Sequence, residues 1–330
     1  MTTRLLLLLT LAISAGFCHA VEPVRVGLLK FGTVNWEMAV VQDEGLDQKH
    51  GVDVQVTELA STNAVNVALQ GGAVDLIVGD WIWVNRQRAE GRDYSFFPYS
   101  LAVGGLYVRP DAGINGLADL KGRKLGIAGG PVDKSWLLLQ ARARMQGWDL
   151  AEAVEPAFGA PPLLNRLMLA GDLPAVLNYW HFGARLRAQG MQELIGVSDL
   201  LRALGVEQPV PMLGWIFADD WAEANPRAIR GFLAASYEAK RWLAKDDALW
   251  QVLRARTKAE DDATLTLLRD GYRAGIPVNL TANGEPAAAE VFGILSRQGG
   301  AALVGNATSL LPGTFWQGLD SAALLGDDGS

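Results

Sequence analysis

Cysteine and histidine are scarce in this chain of 330 residues. It contains one cysteine, Cys18, and three histidines, His19, His50 and His181. With a single thiol, the sequence offers no disulfide framework, thiolate zinc site or iron–sulfur cluster. No G-x-S-x-G elbow, Walker A loop, H-E-x-x-H or EF-hand motif occurs in it. The sequence therefore lacks most of the residues and motifs that conventional hydrolases use. Neither a cofactor nor a metal ion is expected.

Excess basic charge and long apolar runs are also missing. The 29 basic and 36 acidic residues give a formal net charge of −7, so a nucleic-acid partner is not expected. Beyond the first twenty residues, no segment reaches the roughly 20 uninterrupted apolar residues that a membrane-spanning helix needs. Half of the residues are hydrophobic, which allows a core of normal size. At roughly 150 residues per domain, the length indicates about two domains.

The first twenty residues have the layout of a secretory signal peptide. Arg4 precedes an apolar run at 5–13, small residues follow, and Cys18-His19-Ala20 is an acceptable cleavage site. We therefore predict that residues 1–20 are removed on export and that the mature chain contains no cysteine. Lipid attachment at Cys18 is the alternative, and it is disfavoured because Phe17 stands where a small residue is expected.

Strand and helix patterns alternate along the mature chain. Val52, Val54 and Val56 alternate with polar residues as a strand, and Ser61-Thr62-Asn63 supplies capping residues for the helix that follows. Further strands are predicted at 24–29, 75–79, 94–99, 124–128, 154–158, 175–178 and 213–218. This rhythm predicts an α/β fold with mostly parallel sheets and helices on both faces. The chain after 218 is mainly helical, and its last fifteen residues are predicted to be frayed.

Four motifs follow one another in a fixed order: GLDQKHGVDVQV at 45–56, ALQGGAVDLIVGD at 68–80, GLADLKGRKLGIAGG at 116–130 and ANPRAIRGFLAASYEAKRWL at 224–243. With these motifs, the chain from about 24 to 243 resembles the nitrate/sulfonate/taurine class of ABC-transporter periplasmic substrate-binding proteins, a group that includes pyrimidine-precursor binders. The resemblance implies a type II periplasmic binding fold, in which two α/β lobes, each a mostly parallel sheet flanked by helices, are joined by two crossovers and followed by C-terminal helices. Lobe one would comprise 21–107 and 212–330, lobe two 108–211, and the crossovers would fall near 106–109 and 209–213.

The same resemblance implies a role in solute import. The protein would bind a small molecule in the cleft between the lobes, close by a hinge, and deliver it to a membrane permease with its ATPase. It would be a periplasmic monomer. A ligand-sensing subunit of a membrane receptor is an alternative. Pyrimidine-forming enzymes of the wider group use a cysteine-rich iron motif, which the mature chain lacks, so no enzyme activity is expected.

Polar and aromatic residues follow the predicted strands, at the place where ligands bind in open α/β sheets. The candidate ligand-binding residues are Thr33, Asn35, Trp36, Thr62, Asn63, Asp80, Trp81, Lys134, Ser135, Trp136, Asn165, Asn178, Trp180 and His181. Capping alone would explain Thr62, and burial in a core is the alternative for each tryptophan. Four tryptophans at four strand-to-helix junctions nevertheless favour a cleft with flat apolar faces.

The charges at these junctions bear on the kind of ligand. Lys134 and the cap at 61–63 would suit a small anion, whereas an ionised Asp80 would repel one. We therefore expect an organic ligand with an aromatic, heterocyclic or amphipathic body. A nitrate-, sulfonate- or taurine-type anion is the alternative.

Overall fold

Two five-stranded sheets organise the computed structural model, which describes residues 21–326. The predicted signal peptide lies outside the described residues. Sheet one has the order β2-β1-β3-β10-β4 and comprises β1 (Glu22–Leu29), β2 (Val52–Leu59), β3 (Leu76–Gly79), β4 (Tyr94–Ser100) and β10 (Leu213–Ala218). Sheet two has the order β7-β6-β8-β5-β9 and comprises β5 (Gly104–Val108), β6 (Lys124–Ala128), β7 (Glu155–Gly159), β8 (Ala175–Tyr179) and β9 (Gln192–Gly196). The predicted α/β class is confirmed.

Four of the five strands in each sheet run in the same direction and one runs against them, which confirms the expectation of mostly parallel sheets. In sheet one, β1 runs parallel to β2 and β3, but β10 runs antiparallel to β3 and β4. In sheet two, β6 runs parallel to β7 and β8, but β5 runs antiparallel to β8 and β9. The antiparallel strands β5 and β10 are those that follow a passage from one sheet to the other. Neither strand is therefore part of a β-α-β unit within its own sheet, the connection that makes consecutive strands parallel.

Helices cover both sheets. They are α1 (Val34–Asp43), α2 (Leu46–Lys49), α3 (Thr62–Gln70), α4 (Trp81–Ala89), α5 (Lys134–Met145), α6 (Leu150–Ala153), α7 (Pro161–Ala170), α8 (Trp180–Ala188), α9 (Val197–Ala203), α10 (Asp219–Ala224), α11 (Pro226–Lys245), α12 (Asp247–Val252), α13 (Arg254–Thr257), α14 (Asp262–Ala274), α15 (Glu285–Val304) and α16 (Ser321–Gly326). Short 3-10 turns occur at Pro110–Ala112, Leu117–Leu120 and Ala282–Gly284.

The C-terminal helices pack on elements around both sheets. Helix α11 lies against α1 and β1, and α15 contacts both α4, which follows β3 of sheet one, and α5, which follows β6 of sheet two. The chain passes to sheet two at 101–103, so β5 occupies most of the region where the first crossover was predicted. The bounds of the two lobes stay a prediction.

The C-terminal segment is packed rather than frayed as far as it is described. Trp316 stands edge-on to Phe97 and Phe217, with ring centroids 6.0 and 5.4 Å away. The Asn283 side-chain amide donates to the carbonyls of Trp316 and Leu319 at 2.8 and 2.9 Å. The polar sequence at the end of the chain gives no sign of this anchoring, because the partner residues come from distant strands.

Candidate ligand-binding cavity between the two sheets

A cavity of about 760 Å³ opens between elements of the two sheets. On the side of sheet one it is lined by the loop after β1, the start of α1, the end of β2 and the segment from α13 to α14: Lys30, Phe31, Gly32, Asn35, Trp36, Glu58, Ala255, Arg256, Thr257, Lys258, Glu260 and Thr264. On the side of sheet two it is lined by α7, α8 and the residue after α8: Pro162, Asn165, Arg166, Leu169, His181, Phe182, Arg185 and Gln189. This volume is typical of a small-molecule site.

Trp36 forms part of the cavity wall and is only 5% exposed. Its ring stands edge-on to Trp180 and Trp250, with centroids 5.9 and 6.2 Å away. Trp180 in turn lies against α14, where a Cβ added to Gly271 would come within 2.8 Å of the Trp180 ring. Trp180 therefore packs the start of α8 against α14. This close approach requires glycine at 271.

Three asparagines fix the loops around the cavity. Asn35 Nδ2 donates to the Leu29 carbonyl at 2.9 Å, which closes the loop after β1. Asn165 Nδ2 donates to the Phe182 carbonyl at 2.9 Å, and its Oδ1 accepts from Asn178 Nδ2 at 2.8 Å. Asn35 and Asn165 line the cavity, whereas Asn178 is buried behind them at 3% exposure. Asn35 thus ties the start of α1 to the end of β1, and Asn165 and Asn178 tie α7 to α8 and β8.

His181 lies on the cavity wall, one residue beyond the start of α8. Burial, and secondarily the nearby positive charge of Arg185, lowers the pKa of His181 to about 3. The imidazole is therefore neutral at physiological pH. It can take part in a hydrogen bond with a ligand but contributes no charge.

Asp80 and Lys134 form an ion pair between the two sheets. Asp80 follows β3 of sheet one, Lys134 begins α5 after β6 of sheet two, and their side chains meet at 3.0 Å. Burial lowers the pKa of Lys134, but attraction to Asp80 and their hydrogen bond outweigh this effect and raise the pKa overall. The ion pair therefore joins the two junctions directly.

The remaining candidates lie away from the cavity wall. Trp81 is fully buried against Phe315, and Trp136, 3% exposed, packs edge-on to Phe158. Ser135 is buried at the start of α5, and Thr33 precedes α1. Thr62 and Asn63 are exposed at the start of α3. For Trp81 and Trp136 the structure thus favours the core alternative, because both are first-turn residues turned toward the sheets. The ligand-binding roles of all candidates stay predictions.

Sequence reasoning missed all seven of the charged residues that line the cavity. Arg166 directly follows the candidate Asn165, and Lys30 lies in the loop after β1, close to the candidates Thr33 and Asn35. Both are therefore neighbours of predicted site residues. Arg185 on α8 pairs with Glu260 at 2.5 Å and also donates to the carbonyls of Thr257 and Lys258. No local signal marks 256–260 as part of a site, because this segment reaches the cavity only through the folding back of the C-terminal helices.

Between residues 21 and 326, no group of histidine, cysteine or acidic side chains is placed to hold a metal ion. Within the same span, no helix combines the length and apolar character needed to cross a bilayer.

Two α/β units whose loops and helices together line a cavity of ligand size have the architecture of a two-lobed binding protein. The chain belongs to the NMT1/THI5-like family, whose model matches residues 36–248. No curated protein matches the sequence.

Solved structures share this fold at low sequence identity. The periplasmic aliphatic sulphonate binding protein SsuA from Escherichia coli is 20% identical, with a TM-score of 0.70, and the match covers 90% of this chain and 98% of that one. The alkanesulfonate-binding protein SsuA from Xanthomonas axonopodis pv. citri, bound to MOPS, is 18% identical, with a TM-score of 0.65 and coverage of 89% and 98%. The desulfurization enzyme DSZB is 12% identical, with a TM-score of 0.52 and coverage of 84% and 92%. Together these likenesses establish the type II binding-protein fold.

Proposed function

We propose that this protein is the periplasmic substrate-binding component of an ABC importer and takes a small organic ligand into the cavity between its sheets. The observation that carries the proposal is the cavity itself, because both halves of the fold contribute to its walls. The family membership and the sulfonate-binding proteins of the same fold support it.

The cavity suits an amphipathic ligand that carries negative charge. Phe31, Trp36 and Phe182 offer apolar surface, and five basic side chains line the cavity against two carboxylates. In the sequence, Asp80 was the reason to disfavour an anionic ligand. Its charge is balanced by Lys134, and it does not line the cavity. The anionic alternative and the aromatic expectation thus combine in one ligand, with an apolar body and an anionic group.

Asn35, Trp36, Asn165 and His181 are the predicted residues that would contact this ligand, because each lines the cavity. Lobe one would be sheet one with its helices, and lobe two would be sheet two, close to the bounds 21–107 with 212–330 and 108–211. A ligand that touches both lobes stabilises the closed form by its higher affinity for that form. The closed protein would then dock, as an exported monomer, on a membrane permease coupled to an ATPase.

A binding role is favoured over catalysis by the chemistry of the cavity wall. It holds no cysteine, and its one histidine is held neutral by a pKa of about 3. Such a histidine is a poor general base or acid near neutral pH. We therefore propose no enzyme activity, although one neighbour of the fold is an enzyme.

The test is a ligand screen read by tryptophan fluorescence and calorimetry on the mature protein. Sulfonates, carboxylates, phosphate esters and uncharged heterocycles form its four classes. We expect saturable binding of one class, with a fluorescence change that Trp36→Phe diminishes. Trp242→Phe, at an indole 36% exposed on α11, is the matched control and should leave the change intact. Absence of saturable binding in all four classes would contradict the proposal.

A further inference from the structure

The helix N-termini at the Asp80–Lys134 junction already hold carboxylates of this chain. Asp80 Oδ1 accepts from the Trp83 amide at 3.1 Å at the start of α4. Asp133 Oδ1 accepts from the Ser135 and Trp136 amides at 2.9 and 3.2 Å at the start of α5. Free amide donors at helix starts are the usual attraction for an anion. Here those donors are satisfied and the local charge is negative, so an anionic ligand is directed elsewhere.

The cavity beside this junction carries unbalanced positive charge. Arg185 is paired with Glu260 at 2.5 Å, and Arg256 is paired with Asp43 at 3.2 Å. By contrast, across residues 21–326 no carboxylate forms an ion pair with Lys30, Arg166 or Lys258, and Glu58 has no basic partner. The unpaired lining groups therefore amount to three cations and one carboxylate, an excess of two positive charges.

Two of the unpaired cations lie beside an exposed aromatic ring. Phe31 is 74% exposed, and the ammonium groups of Lys30 and Lys258 lie 5.9 and 5.1 Å from its centroid. Arg166 comes from α7, on the opposite side of the cavity. An aromatic or aliphatic body could rest against Phe31 and Trp36 while its charged groups meet cations from both sides.

We propose that this cavity selects an organic dianion, whose two negative charges are held by Lys30, Arg166 and Lys258. The inference deepens the proposed function and rests on it. Closing the two sides around a neutral ligand or a monoanion would leave like charges facing each other in a space partly shielded from water, which is unfavourable. A dianion balances the excess. A phosphate monoester and a dicarboxylate share this chemistry, and the experiment separates them.

The test is calorimetry at pH 7.5 with four ligands built on one benzene ring: benzamide, benzenesulfonate, isophthalate and phenyl phosphate. Phenyl phosphate is a dianion at this pH, since the second pKa of a phosphate monoester is about 6. We expect at least one dianion to bind about tenfold or more tightly than benzenesulfonate, because its second negative charge allows further charge-assisted hydrogen bonds. Tight binding of phenyl phosphate alone identifies a phosphate ester, and of isophthalate alone a dicarboxylate.

Arg166→Gln and Lys258→Gln should each weaken binding of the preferred dianion by about tenfold, and binding of benzenesulfonate by less. Lys124→Gln and Arg202→Gln are the matched controls, because both side chains are exposed and lie outside the cavity lining. If benzenesulfonate or benzamide binds as tightly as both dianions, the inference is wrong and the proposed function stands. Undiminished dianion affinity in both cavity variants also overturns it. If none of the four ligands binds and the wider screen is empty too, the proposed function itself fails.

Discussion

Burial decides what Trp81 contributes to this protein. The side chain is fully buried and packs against Phe315 with ring centroids 6.3 Å apart. Trp81→Ala should lower the free energy of unfolding by about 3–5 kcal/mol, because it removes a large core side chain and leaves a cavity. Urea denaturation measures this, and Trp242→Ala, at a position 36% exposed, should cost under about 1 kcal/mol.

The same pair of variants separates a core role from a ligand-binding role for Trp81. Calorimetry on the folded fraction of Trp81→Ala should return a dissociation constant within about twofold of the parent, since the indole does not line the cavity. A stable variant with lost affinity would place Trp81 in the binding site after all.

From the sequence, we could predict only those cavity residues that come soon after the end of a strand. Asn35, Trp36, Asn165 and His181 follow strand ends and line it. Trp81 also follows a strand end, but the apolar residues of α4 do not gather on one face, so the sequence does not indicate which side is buried. Lys258 could not be found at all, because its place in the cavity depends on contacts between segments far apart in the chain.

Whole elements were predicted where periodicity was strong and missed where it was weak. Strand β2 agrees with its pattern to within a few residues, and β10 has the predicted bounds of 213–218. Strand β5 begins with two glycines, and β9 begins with Gln192 and Glu193, so neither has the alternation that marks a strand. Pairing with neighbours in sheet two overrides these weak local preferences.

Asn283 anchors the C-terminal segment to the rest of the fold. Besides its two donated bonds, its Oδ1 accepts from the Ser321 amide at 3.0 Å. Its φ of 55° is in the left-handed region, so Asn283→Gly removes the hydrogen bonds without adding backbone strain. We expect faster hydrogen exchange across 316–326 and a stability loss of about 1–3 kcal/mol, because the peptide groups lose buried partners.

Asn279 provides the control for this element. It also has a positive φ, 58°, but it is exposed, and it has no side-chain hydrogen bond among the described residues. Asn279→Gly should therefore leave exchange at 316–326 unchanged. Equal effects of the two glycine variants would mean that backbone conformation, rather than the side-chain anchor, governs the segment.

At the scale of the whole molecule, two sets of polar contacts between the halves oppose opening, in addition to the packing of Trp180 against Trp36 and α14. One is the Asp80–Lys134 pair, and the other is the hydrogen-bonded contact of Arg185 with 257–260. Asp80 and Lys134 are 23% and 28% exposed, so their attraction is partly screened by solvent and sensitive to salt. Such a pair shifts a hinge equilibrium modestly, without locking it.

Lys134→Met should therefore shift the ligand-free protein toward an open form by about two- to tenfold in population, because it keeps the length of the side chain and removes only the interlobe attraction. Spin labels at Val67→Cys and Val132→Cys, both exposed and on opposite sides of the junction, report the distance, and the described chain has no cysteine to compete. Arg202→Met, which breaks a pair within α9, should change nothing. High salt should shift the parent toward the Lys134→Met distribution but leave that variant nearly unaffected. Identical distance distributions in parent and variant would show that the ion pair does not hold the halves together, and closure would then depend on the other contacts between the halves and on the ligand.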